Sequence, residues 1–460
     1  MQKYVEMIKH FNKLLSDDKT KEIGRKENNC FVRKSKLGFN ELIKYILSRT
    51  GKTTSNEINN YYSEIDKLGK SISKQSVFQA REKLNPEVFI YLNEAMIKHY
   101  YKNTKIEKEK GFILLSIDGT QLEMPLNDDT KEKFGISENH KWATQTKTLP
   151  RCSGLYDVLN NVYLNFKVNH ITMAEIPMAY EQIKLTKNII SKEKCIFLAD
   201  RNYGATDLFL LFDQLDYKYC FRGKKNFYKH YLDETKTDSI VEIALDEKWI
   251  KRFKIDEVKE KALKDGKIKI RVIRFNKSDV INRDLNNDEE IILFTNLSQN
   301  EFTKEELMEL YGKRWRIETG YGILKTKMEF ERVTSEKANI ILQDVYSQII
   351  VYNQISILKN IADKKINSNG KYEYQININN LINLFRKFSP KLLNKIDSIL
   401  SIINSIIDKI IKNKEPIRKN RFYKRWNIYI NKPPTLKFRV DGKRNPTTHK
   451  TKKGFLRISR

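Results

Sequence analysis

The sequence has few of the residues that build disulfide frameworks, zinc sites and membrane spans. Four cysteines occur in 460 residues, and no two of them form a Cys-x-x-Cys pair. This scatter argues against a disulfide framework or a zinc site and is typical of a reducing cytosol. A run of 18 apolar residues, a signal-peptide core and a lipidation motif are all missing. We therefore expect a soluble intracellular protein with no membrane partner.

Several common enzyme motifs are missing as well. The six histidines show neither the H-x-x-x-H nor the H-E-x-x-H spacing of zinc hydrolases, and no G-x-S-x-G serine elbow is present. Gly51, Lys52 and Thr53 look like the end of a phosphate-binding loop. The motif would need its first glycine at position 46, which is Ile46 in a segment predicted to be helical. The sequence therefore offers no support for these three enzyme classes.

Positive charge is what the sequence has in excess. It holds 87 Lys and Arg against 58 Asp and Glu, which gives a net charge of +29 and a pI near 9.6. Such a balance indicates a polyanionic partner, most commonly nucleic acid. A basic protein of membrane surfaces is the competing interpretation. With 40% hydrophobic residues, the chain is long enough for about two to four domains with real cores.

The periodicity of apolar residues divides the chain into helical ends and an α/β centre. Residues 1–108 are predicted to form a helical DNA-binding domain, in which Ser71 to Leu84 is either a helix-turn-helix-like element or a solvated basic face. Short β-branched runs then alternate with helical segments over 109–345, which predicts an α/β domain. Residues 223–291 interrupt that order and are predicted to be a mostly β insertion.

The C-terminal part is again predicted to be helical and then strongly basic. Residues 346–411 contain two segments that read as amphipathic helices and suit self-association, so we predict a dimerisation region there. Residues 412–460 hold 17 Lys and Arg against two acids, about half of the net charge. Such a run is typical of a DNA-binding tail.

Three acidic residues stand where a metal site would need them. Asp118 and Asp200 are predicted at the ends of two strands, and Glu318 on a later helix. Hard divalent cations prefer carboxylate oxygens, and two Mg²⁺ ions about 3.5–4 Å apart support in-line phosphodiester displacement. Mn²⁺ would fit the same ligands. The alternatives are a turn at Asp118 and a cap or ion pair at Asp200, and neither explains all three acids together.

The stretch YGKRWRIETGYGILK places four polar residues on one predicted helical face. At about 100° per residue, Tyr311, Arg314, Glu318 and Lys325 project within an arc of roughly 60°. A capping box at 303–306 is predicted to begin this helix. The apolar residues predicted to pack it onto a core are Leu310, Ile317, Leu324 and Met328. The alternative is a solvated face with ion pairs four residues apart.

This spacing resembles the Y-(2)-R-(3)-E-(6)-K signature of bacterial insertion-sequence DDE transposases. SIDGTQLEMP resembles the first-aspartate motif of that group and FLADRNYG the second, so the resemblance covers about residues 110–335. It implies a ribonuclease H-like α/β core with a β-rich insertion, flanked by helical N- and C-terminal domains. It also implies an enzyme that binds terminal inverted repeats, cleaves DNA and transfers the strand to target DNA, as a homodimer.

The resemblance also implies roles for individual residues. The residues that would be catalytic and hold the metal ions are Asp118, Asp200 and Glu318. The residues that would contact phosphates near the cleaved end are Tyr311, Arg314 and Lys325. Arg222 would contact DNA at the entry to the insertion. Trp249 is a candidate for stacking on a flipped base, and packing in the core or on the surface is the alternative.

Two other functions remain open at this stage. A ribonuclease H-like nuclease would cut DNA without joining strands, and a catalytically silent descendant would only bind DNA. The expected location is the bacterial cytoplasm, in association with the nucleoid.

Overall fold

The computed structural model describes residues 1–417, except 34, 68, 138–146, 192, 225, 234, 277–289 and 367–371, together with the backbone of 439–440. The α-helices are α1 (Gln2–Leu14), α2 (Asp18–Gly24), α3 (Phe39–Leu47), α4 (Thr54–Glu64), α5 (Lys74–Glu82), α6 (Glu87–Asn103), α7 (Asp128–Phe134), α8 (Glu175–Ile190), α9 (Thr206–Gln214), α10 (Glu247–Lys251), α11 (Lys259–Asp265), α12 (Lys304–Gly312), α13 (Arg316–Gly322), α14 (Ala338–Asp363), α15 (Ile378–Asn394) and α16 (Ile399–Lys412).

The strands are β1 (Ile113–Gln121), β2 (Ile136–Ser137), β3 (Lys147–Thr148), β4 (Arg151–Asp157), β5 (Val162–Asn169), β6 (Cys195–Ala199), β7 (Lys218–Arg222), β8 (Asp238–Ala244), β9 (Lys267–Asn276), β10 (Glu290–Thr295), β11 (Arg332–Val333), β12 (Tyr374–Ile376), β13 (Lys414–Pro416) and β14 (Arg439–Val440). Within the described residues, no helix is long and apolar enough to cross a membrane.

Eight strands form one central sheet in the order β5-β4-β1-β6-β7-β10-β9-β8. The first three strands pair antiparallel, whereas β1 with β6 and β6 with β7 are parallel. Numbered by their own order along the chain, the first five strands follow the order 3-2-1-4-5 of a ribonuclease H-like core. The predicted α/β fold class, with helical regions before and after the sheet, is confirmed.

The insertion extends this sheet rather than forming a sheet of its own. Strands β8 and β9 pair with each other, β9 pairs with β10, and β10 pairs with β7, all antiparallel. The short helices α10 and α11 connect β8 to β9. The insertion is therefore joined to the core by continuous backbone hydrogen bonding.

Six helices precede the sheet, as the periodicity predicts. Helix α5 begins at Ser73, whose hydroxyl accepts a hydrogen bond from the backbone N–H of Ser76 at 3.1 Å. Arg81 on this helix points into the protein and is only 1% exposed. Its guanidinium donates to Asp344 on α14 and to the hydroxyl of Thr334. Arg81 is therefore a core residue, and a DNA-reading role for the rest of α5 stays a prediction.

Helix α14 corrects the expectation of an amphipathic C-terminal helix. Twenty of its 26 residues are buried, because elements from both ends of the chain cover it: α3, α5 and α6 before the sheet, β5 within it, and α15 after it. Helix α16 is amphipathic, and its buried isoleucines belong to the same core. Both apolar surfaces thus pack within one chain, and dimerisation through residues 346–411 stays a prediction.

Most of the predicted basic tail lies outside the described residues. Strand β13 pairs with β12, and β14 pairs in parallel with β11, directly after the segment that carries Glu318. A DNA-binding role for 412–460 stays a prediction.

The segment from Thr303 to Lys327 is helical throughout but is not one uniform α-helix. The predicted capping box is present: Thr303 Oγ1 accepts from the backbone N–H of Glu306, whose carboxylate accepts from the N–H of Thr303. Residues Lys313–Trp315 form a 3₁₀ turn, and Ile323–Lys327 form a π turn. The predicted apolar stripe is buried at every position, namely Leu310, Ile317, Leu324 and Met328. The arc of roughly 60°, which assumed a constant 100° per residue, therefore does not hold across these turns.

Candidate active site

Two neighbouring parallel strands bring the two aspartates together. The pairing of β1 with β6 ends with Ser116 opposite Leu198, and Asp118 and Asp200 each follow two residues later, at the same edge of the sheet. Adjacent strands lie about 4.8 Å apart. The prediction that Asp118 ends its strand is wrong, because β1 continues to Gln121 through pairing with β4. Strand β6 stops at Ala199, so Asp200 directly follows the end of its strand.

A local turn explains why β6 stops there. Asp200 accepts a hydrogen bond at Oδ1 from the backbone N–H of Asn202 at 2.8 Å. This side-chain-to-backbone bond two residues on is that of an Asx turn, which directs the chain out of the sheet. The carboxylate of Asp200 is thereby held at the carboxyl end of the strand, beside Asp118.

The electrostatics show that the three acids share one environment. Burial raises the pKa of Asp118 to about 7; Arg314 opposes the rise, and the charges of Asp200 and Glu318 add to it. The Asp118 side chain is 18% exposed, and its Oδ1 accepts from the backbone N–H of Gly119 at 2.9 Å. Glu318 and Asp200 are therefore both close enough to Asp118 to act on its charge.

Arg314 lies between the acids. Its Nη2 is 3.1 Å from Glu318 Oε1, and its Nη1 is 4.0 Å from Asp118 Oδ2. The guanidinium also lies over the ring of Trp315, 4.7 Å from its centroid. Arg314 is only 5% exposed. In this arrangement its charge partly compensates the acids, and a contact to a DNA phosphate stays a prediction.

The chemistry of the donors fits a divalent cation. In the described part of the chain, no three His, Cys, Asp or Glu side chains converge closely enough to hold one metal ion as they stand. The three carboxylates are nevertheless hard oxygen donors. Burial is the main cause of the raised pKa of Asp118, and the charges of Asp200 and Glu318 add to it. A divalent cation bound there would favour the ionised form of all three acids.

The other two signature residues make contacts inside the chain. Lys325 Nζ donates to Thr120 Oγ1 and to the carbonyl of Gln121, both at 2.7 Å, and so connects the π turn to β1. Tyr311 is 7% exposed, and burial raises the pKa of its phenol. The structure thus places both residues beside the site, and their phosphate contacts stay predictions.

Two predicted DNA contacts lie further along the sheet. Arg222 ends β7 and is half-buried. Its charge lowers the pKa of Tyr311, against the effect of burial. Arg222 therefore lies near the helical segment that carries Tyr311. Trp249 on α10 is half-buried, with its ring centroid 5.9 Å from that of Tyr228. The packing alternative for Trp249 therefore has a direct contact, and its base-stacking role stays a prediction.

Sequence reasoning missed two residues at this site. Trp315 is 51% exposed on the segment between Arg314 and Glu318, and the signal for it was an aromatic residue between two arginines in KRWR. Glu175, in the first turn of α8, lies so close to Gly119 that a Cβ there would be 2.9 Å from its Oε1. No local pattern marks Glu175, because only the packing of α8 on the sheet brings it there.

Three comparisons with known proteins were made, and one of them shows the family of this chain. A search of curated proteins found no match. Among solved structures, the chain is similar to the piggyBac transposase in a synaptic complex with hairpin DNA, with a TM-score of 0.42 and 10% identity over 90% of this chain and 80% of that one. A family model described as the transposase DDE domain matches residues 109–354, which is more than half of the chain. The chain therefore belongs to the transposase DDE domain family.

Proposed function

We propose that this protein is a DNA transposase of a bacterial insertion sequence, which binds the terminal inverted repeats of its element and catalyses cut-and-paste transposition. The observation that carries the proposal is that Asp200 and Glu318 both lie close enough to Asp118 to raise its pKa, in a chain of the transposase DDE domain family. The net charge of +29 supports a nucleic-acid substrate.

The three acids are the residues that would hold the metal ions, either Mg²⁺ or Mn²⁺. When bound, two such ions supply the Lewis acidity that activates an attacking water or 3′-hydroxyl and stabilises the leaving oxygen. The protein would contribute the placement of the carboxylates: Asp118 and Asp200 each follow the last paired residues of β1 and β6 by two positions, and α13 carries Glu318.

The cations around the acids would orient the DNA strand. Arg314 offers a planar guanidinium next to two of the carboxylates, a geometry suited to a phosphate group. Tyr311, Lys325 and Arg222 would extend this contact along the strand on either side. The exposed indole of Trp315 is suited to stacking on an unpaired base beside them.

Strand transfer and assembly are also part of the proposal. Insertion of the whole element joins both of its ends to target DNA, and we propose that a homodimer acting at the nucleoid holds the two ends in one complex. The basic residues 412–460 would add a further DNA contact.

The test is Mg²⁺-dependent cleavage of a DNA fragment that carries the inverted repeats flanking this gene. The wild-type protein is compared with Asp118→Ala and with Asp408→Ala, a matched control on the exposed face of α16. We expect cleavage at the repeat boundary and joined products, both lost in D118A and kept in D408A. Cleavage that persists in D118A would refute the assignment of the acids.

Two other outcomes identify the alternative functions. Cleavage without any joined product would indicate a nuclease, and tight binding to the repeats without cleavage would indicate a silent DNA-binding descendant.

A further inference from the structure

A buried phenol connects the helix of Glu318 to the strand of Asp118. The hydroxyl of Tyr321 donates to the backbone carbonyl oxygen of Asp118 at 2.6 Å and accepts from the backbone N–H of Gly154 at 3.0 Å. Its only proton is thereby used, and one acceptor position is filled. Tyr321 belongs to α13 and is 7% exposed. This one hydroxyl therefore links α13 to both β1 and β4, at the pair where Asp118 lies opposite Gly154.

The surroundings leave the phenol little freedom. A Cβ at position 154 would be 2.8 Å from the Tyr321 hydroxyl, so only glycine leaves room for it there. Gly320 has a similar constraint, since a Cβ there would be 2.8 Å from the hydroxyl of Tyr163. The ring of Tyr321 stacks on that of Tyr163 with centroids 6.0 Å apart. Packing on one side and two hydrogen bonds on the other therefore fix the position of the phenol.

We propose that Tyr321 is a positioning residue, which sets the distance and direction of Glu318 relative to Asp118. Glu318 lies three residues before Tyr321, within one helical turn, so the two residues move together. Because the phenol donates to the backbone carbonyl of Asp118, its hydrogen bond holds the strand itself. The inference rests on the proposed function, in which these acids hold divalent cations.

Lys325 makes a second connection between this helical segment and β1, at a different point from that of Tyr321. Lys325 connects the same helical segment to Thr120 and Gln121, further along β1. That contact is made from within the π turn, whereas Tyr321 lies in the same regular turn as Glu318. Without the phenol hydroxyl, the segment would still be attached to β1 through Lys325, but the turn that carries Glu318 could shift.

The experiment measures Mn²⁺ binding to the metal-free, full-length protein by isothermal titration calorimetry and by the electron paramagnetic resonance of bound Mn²⁺. The test variant is Tyr321→Phe. The matched control is Tyr163→Phe, which removes a hydroxyl from the adjacent ring of the same cluster. The Tyr163 hydroxyl is buried and has no hydrogen-bond partner within the described structure. A third variant, Asp118→Ala, tests the metal site itself.

We expect Y321F to bind Mn²⁺ about tenfold more weakly than wild type, which corresponds to about 1.4 kcal/mol, and to change the spectrum of the bound ion. We expect Y163F to bind like wild type. Titrations are made at a temperature at which circular dichroism shows both variants to be folded, so that a change in affinity is not a loss of structure.

Each of the other outcomes has one meaning. Wild-type affinity and spectrum in Y321F would overturn the positioning role, as would an equal loss in Y163F, which would indicate general packing. Absence of Mn²⁺ binding by the wild type, or undiminished binding by D118A, would overturn the proposed metal site and this inference with it.

Discussion

The replacement Asp344→Asn would test how the N-terminal helices are held to the rest of the protein. Asp344 on α14 is fully buried, and its Oδ1 is 2.6 Å from Arg49 Nη1 and 2.7 Å from Arg81 Nη2. Its Oδ2 accepts from the backbone N–H and the hydroxyl of Thr334. The asparagine would remove the charge that compensates two guanidiniums, whose side chains are 9% and 1% exposed.

Removing one partner of a buried ion pair costs about 3–5 kcal/mol, because the remaining charge stays buried without compensation. We therefore expect D344N to lower the free energy of unfolding by about this amount, measured by urea denaturation followed by circular dichroism. The matched control is Glu257→Gln, which removes the charge of an exposed ion pair with Lys184. The control should leave the unfolding midpoint unchanged.

The pH dependence adds an independent check. Burial of Asp344 tends to raise its pKa, but Arg49, Arg81 and Thr334 outweigh this effect, and the pKa lies below its ordinary value of 3.8. The stabilisation is therefore fully present above pH 3.8 and is lost as the pH falls below it. The difference between wild type and D344N should narrow in that acidic range. A loss in D344N below about 1 kcal/mol at neutral pH would refute the reasoning, since it would fall far below the cost of an uncompensated buried charge.

Three further predictions concern the site. Glu318→Gln should abolish cleavage but leave binding to repeat DNA nearly unchanged in a mobility-shift assay, since an amide cannot replace the carboxylate charge; persistent cleavage would remove Glu318 from the site. Lys325→Ala should weaken binding to cleaved ends and reduce the slope of log K against log salt by about 1. An unchanged slope would show that Lys325 makes no contact with a DNA phosphate and only connects the helical segment to β1. Trp249→Ala should stall at strand opening if that indole holds an extruded base. The kinetics of strand opening are measured for this variant and for Trp315→Ala on a DNA fragment with 2-aminopurine at the cleaved end. Normal kinetics in either variant would exclude a base-stacking role for the indole that was replaced.

Local features of the fold were predictable because they depend on neighbours in sequence. The capping box at Thr303 and Glu306 is one example. The convergence of the acids was predicted from motifs, and the parallel register of β1 and β6 gives its physical reason.

The burial of α14 could not be predicted, because its polar residues give the sequence the pattern of an amphipathic helix. Gln343, Asp344 and Asn353 suggest a solvent-facing side, yet all three are buried. Their partners come from distant segments: Arg81 bonds to the first two, and Asn93 to the third. A periodicity argument counts each polar residue as exposed and has no access to a partner more than 250 positions away.

The continuity of the sheet was beyond sequence reasoning for a similar reason. The pairing of β10 with β7 joins strands that are separated in sequence by almost the whole insertion. Alternating apolar residues identify each strand but contain no information about its neighbour.

The π turn at Ile323–Lys327 has a consequence for changes of chain length. Met328 N–H bonds to the carbonyl of Ile323, five residues earlier, so this turn holds one residue more than an α-helical turn. Deletion of one residue here would therefore leave a regular α-helical turn, and the chain beyond it would keep its direction. An insertion before Lys325 would instead rotate everything beyond it by about 100°, and Lys325 would leave Thr120. The segment should therefore tolerate the loss of a residue better than the gain of one.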